Sequence, residues 1–177
     1  MRISAGHLRG RVLSVPDEVG LRPTPAKVRE ALFNILGPID EMRLLDLYSG
    51  SAVMALEAIS RGASAISVEQ NRRLTRDMEQ VRQSWNLTES WQIRTGTVEK
   101  GLTALAGEHF DLIFADPPYQ KGFSEKLPSW LDEHQIACDQ LIIEESARVE
   151  PHWPEGWICE QSRRYGDSTL HFLRHRS

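Results

Sequence analysis

A chain of 177 residues, 40% hydrophobic and with a net charge of −4, has the size of one domain and enough apolar content to bury a core unaided by disulfides or metals. Its two cysteines, Cys138 and Cys159, lie far apart with no CxxC or ligand-spaced histidine group, which argues against a disulfide framework and predicts no metal site. No apolar run approaches the length of a membrane span and no leader-like stretch opens the chain, so the expectation is a cytoplasmic protein with no membrane contact.

Arg2 to Val15 alternates short strand-forming runs around Gly6 and Gly10, which predicts a β-hairpin extension over residues 1–20 ahead of a core over residues 21–177. Both ends of the chain are basic. Residues 1–30 carry six basic against three acidic side chains, and residues 160–177 carry four against two, which leaves the middle acidic. Such ends read either as ordinary solvated charge or as basic rims beside a site that meets phosphates. "LRPTPAKVREALFNILG" then predicts a helix, with Thr24 placed to cap it and Pro25 at its first position. Val28, Ala31, Leu32, Ile35 and Leu36 recur at helical spacing before Gly37 and Pro38 stop it. Arg29, Glu30 and Asn34 of this helix read as an internal polar network.

From Met42 onward, strand and helix alternate. "MRLLDLY", "SAISVEQ", "SWQIRT", "FDLIFAD" and "QLIIEES" read as strands, with helices between them in "SAVMALEAISRG", "NRRLTRDMEQVRQSWN", "VEKGLTALAG" and "FSEKLPSWLDEH". That order predicts an α/β fold with a parallel sheet covered by helices on both faces. The tail "WICEQSRRYGDSTLHFLRH" reads as two further strands about a Tyr165-Gly166-Asp167 turn, an antiparallel hairpin completing a mostly parallel, seven-stranded sheet.

In open α/β sheets ligands bind at the carboxyl ends of the strands. "LLDLYSGSAVM" ends its strand at Asp46 and turns through Tyr48, Ser49, Gly50 and Ser51 into a helix whose first N–H groups are free. About twenty residues later Glu69 ends the next strand, followed by Gln70, where an acid grips ribose hydroxyls. The turn has one glycine where a dinucleotide site needs GxGxxG. S-adenosyl-L-methionine, a nucleoside without phosphate and with a charged amino-acid head, suits it better. Each residue taken singly is an ordinary turn glycine or surface acid; their placement on adjacent strand ends points to a site.

"FDLIFADPPY" ends a buried strand in Asp116, Pro117, Pro118 and Tyr119. An exocyclic amine on a base is a poor nucleophile because its lone pair is delocalised into the ring. A carboxylate (Asp116) and a backbone carbonyl (Pro117) that accept its two N–H groups favour the pyramidal amine and stabilise the charge that develops as it attacks a methyl group. The two prolines preorganise these acceptors, and Tyr119 offers a flat face for a flipped base. An ordinary Asp-Pro-Pro turn is the bland alternative.

"MRISAGHLRGRVL", "RPTPAKVREALFNIL", "LLDLYSGS…LEAISRGA", "FDLIFADPPY" and "RRYGDS" occur in the order and spacing of the bacterial 16S rRNA (guanine-N2) methyltransferase family of the RsmD type, which the chain resembles over nearly its whole length. The resemblance implies a class I S-adenosylmethionine-dependent methyltransferase (Rossmann-like) fold. It also implies S-adenosyl-L-methionine as cofactor and, as partner, 16S rRNA in the small ribosomal subunit or its assembly intermediate. Asp116, Pro117 and Tyr119 become the catalytic residues. Asp46, Tyr48, Ser49, Gly50, Ser51, Glu69, Gln70, Thr97, Val98 and Asp116 become the cofactor residues, and Arg2, Arg9, Arg11, Arg22 and Thr24 the RNA contacts. The chain departs from the family at Ala52, which stands where a second glycine is usual and is expected to crowd the cofactor. It departs again at Gly96-Thr97-Val98, where the usual acid near the adenine amine is missing and Thr97 or the backbone is expected to replace it.

Glu144 and Glu145 end the fifth strand and read as structural, while Arg163, Arg164, Tyr165 and Asp167 either position RNA or hold the tail turn. The expected oligomeric state is a monomer. Two other functions stay open: a DNA adenine-N6 methyltransferase, for which the chain leaves little room for a target-recognition domain, and a non-catalytic RNA-binding ribosome assembly factor.

Overall fold

The computed structural model describes residues 1–14, 24–119 and 121–176. Its strands are β1 (Arg43–Leu47), β2 (Ser64–Glu69), β3 (Trp91–Thr95), β4 (His109–Ala115), β5 (Ala137–Ser146), β6 (Trp157–Tyr165) and β7 (Ser168–His175), joined in one sheet in the order β3-β2-β1-β4-β5-β7-β6. The first five run parallel, and β7 pairs antiparallel with both β5 and β6. The helices are α1 (Ala26–Leu36), α2 (Val53–Ser60), α3 (Arg72–Ser84), α4 (Val98–Ala104) and α5 (Phe123–Glu133).

Alternation along each strand divides the core in two. Leu44 of β1 packs with Val28, Leu32 and Phe33 of α1, with α2, and with Leu74 and Met78 of α3. Leu45 and Leu47 face the other side, with Leu102 of α4 and Leu127 and Leu131 of α5. Every residue of α2 is buried, because the helix is apolar around most of its circumference and is sandwiched between the sheet and the segment before α1. On the opposite face Gly101 brings α4 so close to β2 that a Cβ there would stand 2.7 Å from Cγ1 of Val68.

The N-terminal segment pairs its two limbs antiparallel, as the expected hairpin does, with Ile3 N–H donating to the Arg11 carbonyl (3.0 Å) and Leu13 N–H to the Met1 carbonyl (2.6 Å), and it packs into the core. One antiparallel bridge, Arg2↔Val12, joins its two limbs, and residues 15–20 lie outside the described residues. Its apolar side chains leave no room for independence: Ile3, Leu8 and Leu13 are buried in the same cluster as α1 and α2. Gly6 has a φ of 77°, and a Cβ there would fall 1.7 Å from the carbonyl oxygen of Ser60, so the turn touches the backbone that ends α2. Glu57 of α2 accepts from Ser4 through both carboxylate oxygens (3.0 and 2.9 Å) and from the buried Arg29 (3.2 Å), and pairs with Arg61. Arg29 also donates to the carbonyls of Thr24 (2.8 Å) and Arg2 (3.0 Å). Of the polar network expected in α1, only Arg29 is internal; Glu30 and Asn34 are exposed.

Thr24 does not cap α1. Pro25 holds the N-cap position with no side-chain hydrogen bond, and the Thr24 hydroxyl donates instead to Glu144 of β5 at 3.3 Å. A carboxylate acceptor that would otherwise be buried without a donor outcompetes the helix terminus for the hydroxyl.

Candidate active site

The chain leaves β1 for β2 and β3, then returns to the other flank of β1 as β4. At that reversal the loops after β1 and β4 part, and a crevice opens at the carboxyl ends of the strands. A cavity of about 750 Å³ occupies it.

One half is built by the ends of β1, β2 and β3. Asp46 is 1% exposed, and its Oδ2 has no hydrogen-bond donor among the described residues. Burial, with the charge of Glu69 adding to it, pushes its carboxyl up to about 7 despite hydrogen bonds that oppose the shift. The turn that follows is tight. Tyr48, Gly50 and Ala52 all have left-handed backbones (φ 56°, 53° and 57°). Ser49 closes it by donating its hydroxyl to the Asp46 carbonyl at 2.6 Å and its N–H to Val68 at 3.1 Å. Tyr48 lies on the wall against Phe123, ring centroids 6.1 Å apart, and Ser51 completes the lining of the turn.

Glu69 closes this half from β2. Its Oε2 accepts from Gly50 N–H (2.9 Å) and its Oε1 from Asn71 N–H (2.8 Å), which orients the carboxylate and leaves each oxygen a further lone pair. Gln70 stands at the exposed rim. Thr97 caps α4 by accepting from Lys100 N–H (3.4 Å), and the buried Val98 follows it on the wall. The Ala52 methyl is absent from the cavity lining. It is fully buried in the core with α2, so it does not crowd the cavity, and what it carries instead is the cost of a left-handed alanine, about 1 kcal/mol.

The other half follows β4. Asp116 continues the pairing with β1 by donating N–H to the Leu47 carbonyl (3.4 Å), which places its carboxylate beside Asp46. Burial, then the charges of Glu144, Asp46 and Glu145, hold its carboxyl well above the usual carboxylate range. Pro117 is buried and Tyr119 half-buried on the same wall. The Tyr119 hydroxyl donates to Oε1 of Glu144 at 3.1 Å, and Thr24, also on the wall, donates to Oε2. Burial and the nearby acids push the Tyr119 phenol up as well.

Glu144, read from the sequence as structural, holds the hydroxyls of both Tyr119 and Thr24 beside the cavity. Its signal was present, an acid closing the apolar run of β5, but its hydroxyl partners lie 25 and 120 residues away. Glu145 fits the structural reading: it accepts from Ser124 (2.6 Å) and from the Ser146 N–H (2.6 Å).

The expected RNA contacts are not gathered at this cavity. Only Thr24 reaches it, and Arg22 lies outside the described residues. Arg9 sits in the turn that packs on Ser60, and Arg11 stacks its guanidinium over Trp85, 5.2 Å from the ring centroid. Ser60 ends α2 and Trp85 is the C-cap of α3. Helices that return between parallel strands end at the opposite edge of the sheet, so both arginines stand away from the crevice. Arg2 donates to the Gly10 carbonyl at 3.2 Å.

The residues of the first half suit a cationic nucleoside. Asp46 is buried there with no donor to its Oδ2 among the described residues, and with Glu144 and Glu145 it lies close enough to Asp116 to raise the Asp116 pKa.

A family model described as "Conserved hypothetical protein 95" matches residues 1–174. The chain is 32% identical to Ribosomal RNA small subunit methyltransferase D of Escherichia coli over 171 residues, covering 94% of this chain and 85% of the relative. It is 33% identical over 167 residues to the protein of the same name from Buchnera aphidicola, covering 91% and 86%. Among solved structures, the Escherichia coli protein yhhF, described as a methyltransferase, superposes with a TM-score of 0.87 at 29% identity, covering 99% of this chain and 97% of that one. An RNA methyltransferase from Salinibacter ruber, solved with S-adenosyl-L-homocysteine, shares the fold at a TM-score of 0.65 and 17% identity, covering 85% and 92%. The sheet order, the family match and these identities agree, and the chain belongs to the family of the ribosomal RNA small subunit methyltransferases D, with their class I Rossmann-like methyltransferase fold.

Proposed function

We propose that the protein methylates the exocyclic N2 amine of a guanine in small-subunit ribosomal RNA, with S-adenosyl-L-methionine as donor. The observation that carries this reading is the single cavity that joins the Glu69 carboxylate to the Asp116–Tyr119 loop across the switch between β1 and β4. When bound, the cofactor supplies an electrophilic methyl group on a sulfonium cation.

The chain's residues do the rest by position. Glu69 accepts the ribose hydroxyls through its free lone pairs, and the Tyr48–Ser51 turn with Asp46 faces the amino-acid head. Thr97 and Val98 wall the base. Asp116 and the Pro117 carbonyl accept the two N–H groups of the guanine amine, so that its lone pair points at the methyl carbon. The bound donor would supply the methyl carbon to that lone pair and keep the electron pair of the broken S–C bond on sulfur. The amine becomes cationic, and its surplus proton passes to Asp116 or to water. The raised pKa of Asp116 makes it the better base of the two. Tyr119 stacks on the flipped base, worth about 1 to 3 kcal/mol, with its hydroxyl anchored on Glu144.

Calorimetric titration with S-adenosyl-L-methionine, followed by transfer of a labelled methyl group to small subunits lacking the modification, tests the reading. Asp116→Ala should abolish transfer and leave cofactor affinity within about threefold, whereas Glu69→Ala should weaken cofactor binding roughly ten- to a hundredfold. Wild-type protein that binds RNA but no cofactor would point to a non-catalytic assembly factor instead. Label found on adenine N6 in DNA would overturn the choice of substrate.

A further inference from the structure

The β6–β7 edge of the sheet, far from the N-terminal arginines, carries the charge that matches an RNA backbone at the target half of the cavity. We propose that Arg163, with Arg164 and Arg148 beside it, binds the phosphates flanking the flipped nucleotide, and that Arg9 and Arg11 lie outside this footprint. The proposal rests on the RNA methyltransferase reading and adds to it the face by which RNA arrives.

Sheet order supplies the first argument. The cofactor half of the cavity is made by β1, β2 and β3, and the amine clamp by β4. An acceptor that must reach the clamp without crossing the donor therefore comes over the strands beyond β4, namely β5, β7 and β6. Because β6 and β5 run in the same direction, the turn between β6 and β7 stands at the carboxyl edge, level with the end of β5.

Register sharpens this to single residues. Glu144 of β5 and Arg163 of β6 both pair with Leu170 of β7, so the three lie in one row across the sheet. Residues in a row share a face, and Leu170 is buried in the cluster on the α1 side, where Glu144 meets Thr24. With neighbouring strands about 5 Å apart, the Arg163 backbone lies roughly 10 Å from that of Glu144, whose carboxylate holds Tyr119. Arg163 is exposed, and its side chain makes no hydrogen bond or ion pair with any described residue. Arg164 is exposed on the other face and touches only the Gly166 carbonyl, at 3.0 Å. The loop after β5 is tied to the turn by Ala147 N–H donating to Asp167 O (2.8 Å), which brings the exposed Arg148 alongside. Asp167 is the acid within the turn itself, its carbonyl held by the loop that carries Arg148. The nearest acid along β6, Glu160, is paired with Arg174 at 3.7 Å.

Lys121 lines the cavity itself, two residues after Tyr119, while four other basic residues fail on placement. Arg72 and Arg76 of α3 flank the β3 end, beyond the cofactor, and Arg9 and Arg11 stand at the opposite edge of the sheet.

Filter binding of protein-free small-subunit rRNA over a salt series tests the assignment on three proteins: wild type, Arg163→Gln with Arg164→Gln, and Arg9→Gln with Arg11→Gln. Cofactor titration and thermal unfolding serve as controls on each. The β6 pair should reduce the slope of log affinity against log salt by about 1.4 for single-stranded contacts, or about 1.8 for duplex, and raise the KM for small subunits with kcat retained. The N-terminal pair should keep the wild-type slope. Parallel lines for wild type and the β6 pair, or a change confined to the N-terminal pair, would overturn the proposal while leaving intact a wild type that still transfers methyl groups. Loss of affinity for whole subunits with unchanged affinity for protein-free rRNA would assign the edge to a ribosomal protein and overturn it equally. A wild type that neither binds cofactor nor methylates RNA would instead remove the reading beneath it.

Discussion

Only as an anion can Asp116 stabilise the positive charge that develops on the amine and take its surplus proton, yet its surroundings resist ionisation. Burial and three acids hold its carboxyl above the usual range, so the inactive, protonated form persists at pH values where an exposed aspartate is fully ionised. The sign follows: methyl transfer should fall as pH drops, with an inflection above the 3.8 of an ordinary aspartate, measured in single-turnover experiments at saturating cofactor. Tyr119 poses a different question, because its hydroxyl is committed to Glu144. Tyr119→Phe keeps the stacking face but leaves a buried carboxylate oxygen without its donor, so about 1 to 3 kcal/mol of stability should be lost along with part of the rate. Urea denaturation beside rate measurement separates the two losses, and unchanged stability would show that water or another donor replaces the hydroxyl. The positions of Asp116 and Glu69 at strand ends on one cavity were legible in the sequence, because each closes a buried run. The role of Glu144 was not, since hydrogen bonds to Thr24 and Tyr119 exist only once the sheet order is known.

Among the elements, the strands and helices from Arg43 to His175 follow the alternation read from the sequence, with β5 beginning three residues earlier than its apolar run. The segment before α1 pairs its limbs as read, and what the sequence did not reveal is how deeply it packs. Gly6 and Gly10 look like hairpin turn residues, but the partners that hold Gly6 and Ser4, Ser60 and Glu57, come more than fifty positions later. Burial of Ile3, Leu8 and Leu13 at about 1.5 to 3 kcal/mol each makes the segment part of the core rather than a detachable arm. Glu57 is the joint between that segment, α1 and α2. Glu57→Ala leaves the buried Arg29 guanidinium without its counter-charge, and the expected loss is about 3 to 5 kcal/mol, read as a lower urea midpoint with near-wild-type denaturant sensitivity. A loss below 1 kcal/mol would mean that the carbonyls of Thr24 and Arg2 alone satisfy Arg29.

For the molecule as a whole, the crowded acids tie stability to the cofactor. Asp46 has a folded pKa of about 7 against an ordinary 3.8, so its contribution to stability is complete below the unfolded value and is lost as pH rises through 7. A bound cation favours the ionised form and offsets that loss. Cofactor at a hundred times its Kd should stabilise the protein by about 2.7 kcal/mol, a rise in Tm of roughly 5 to 11 °C for a chain of this size. Affinity should strengthen between about pH 6 and pH 8; a flat profile in calorimetry would show that Asp46 does not sense the cofactor's charge. The seam between β4 and β5 has a further consequence. If RNA arrives over β5, β7 and β6 as proposed, donor binding and acceptor approach lie on opposite sides of it and can diverge separately under selection. A chimera that keeps this chain through Tyr119 and takes its remaining strands from a relative should retain the methyl donor and change only the nucleotide it modifies, provided that an acid stands where Glu144 does.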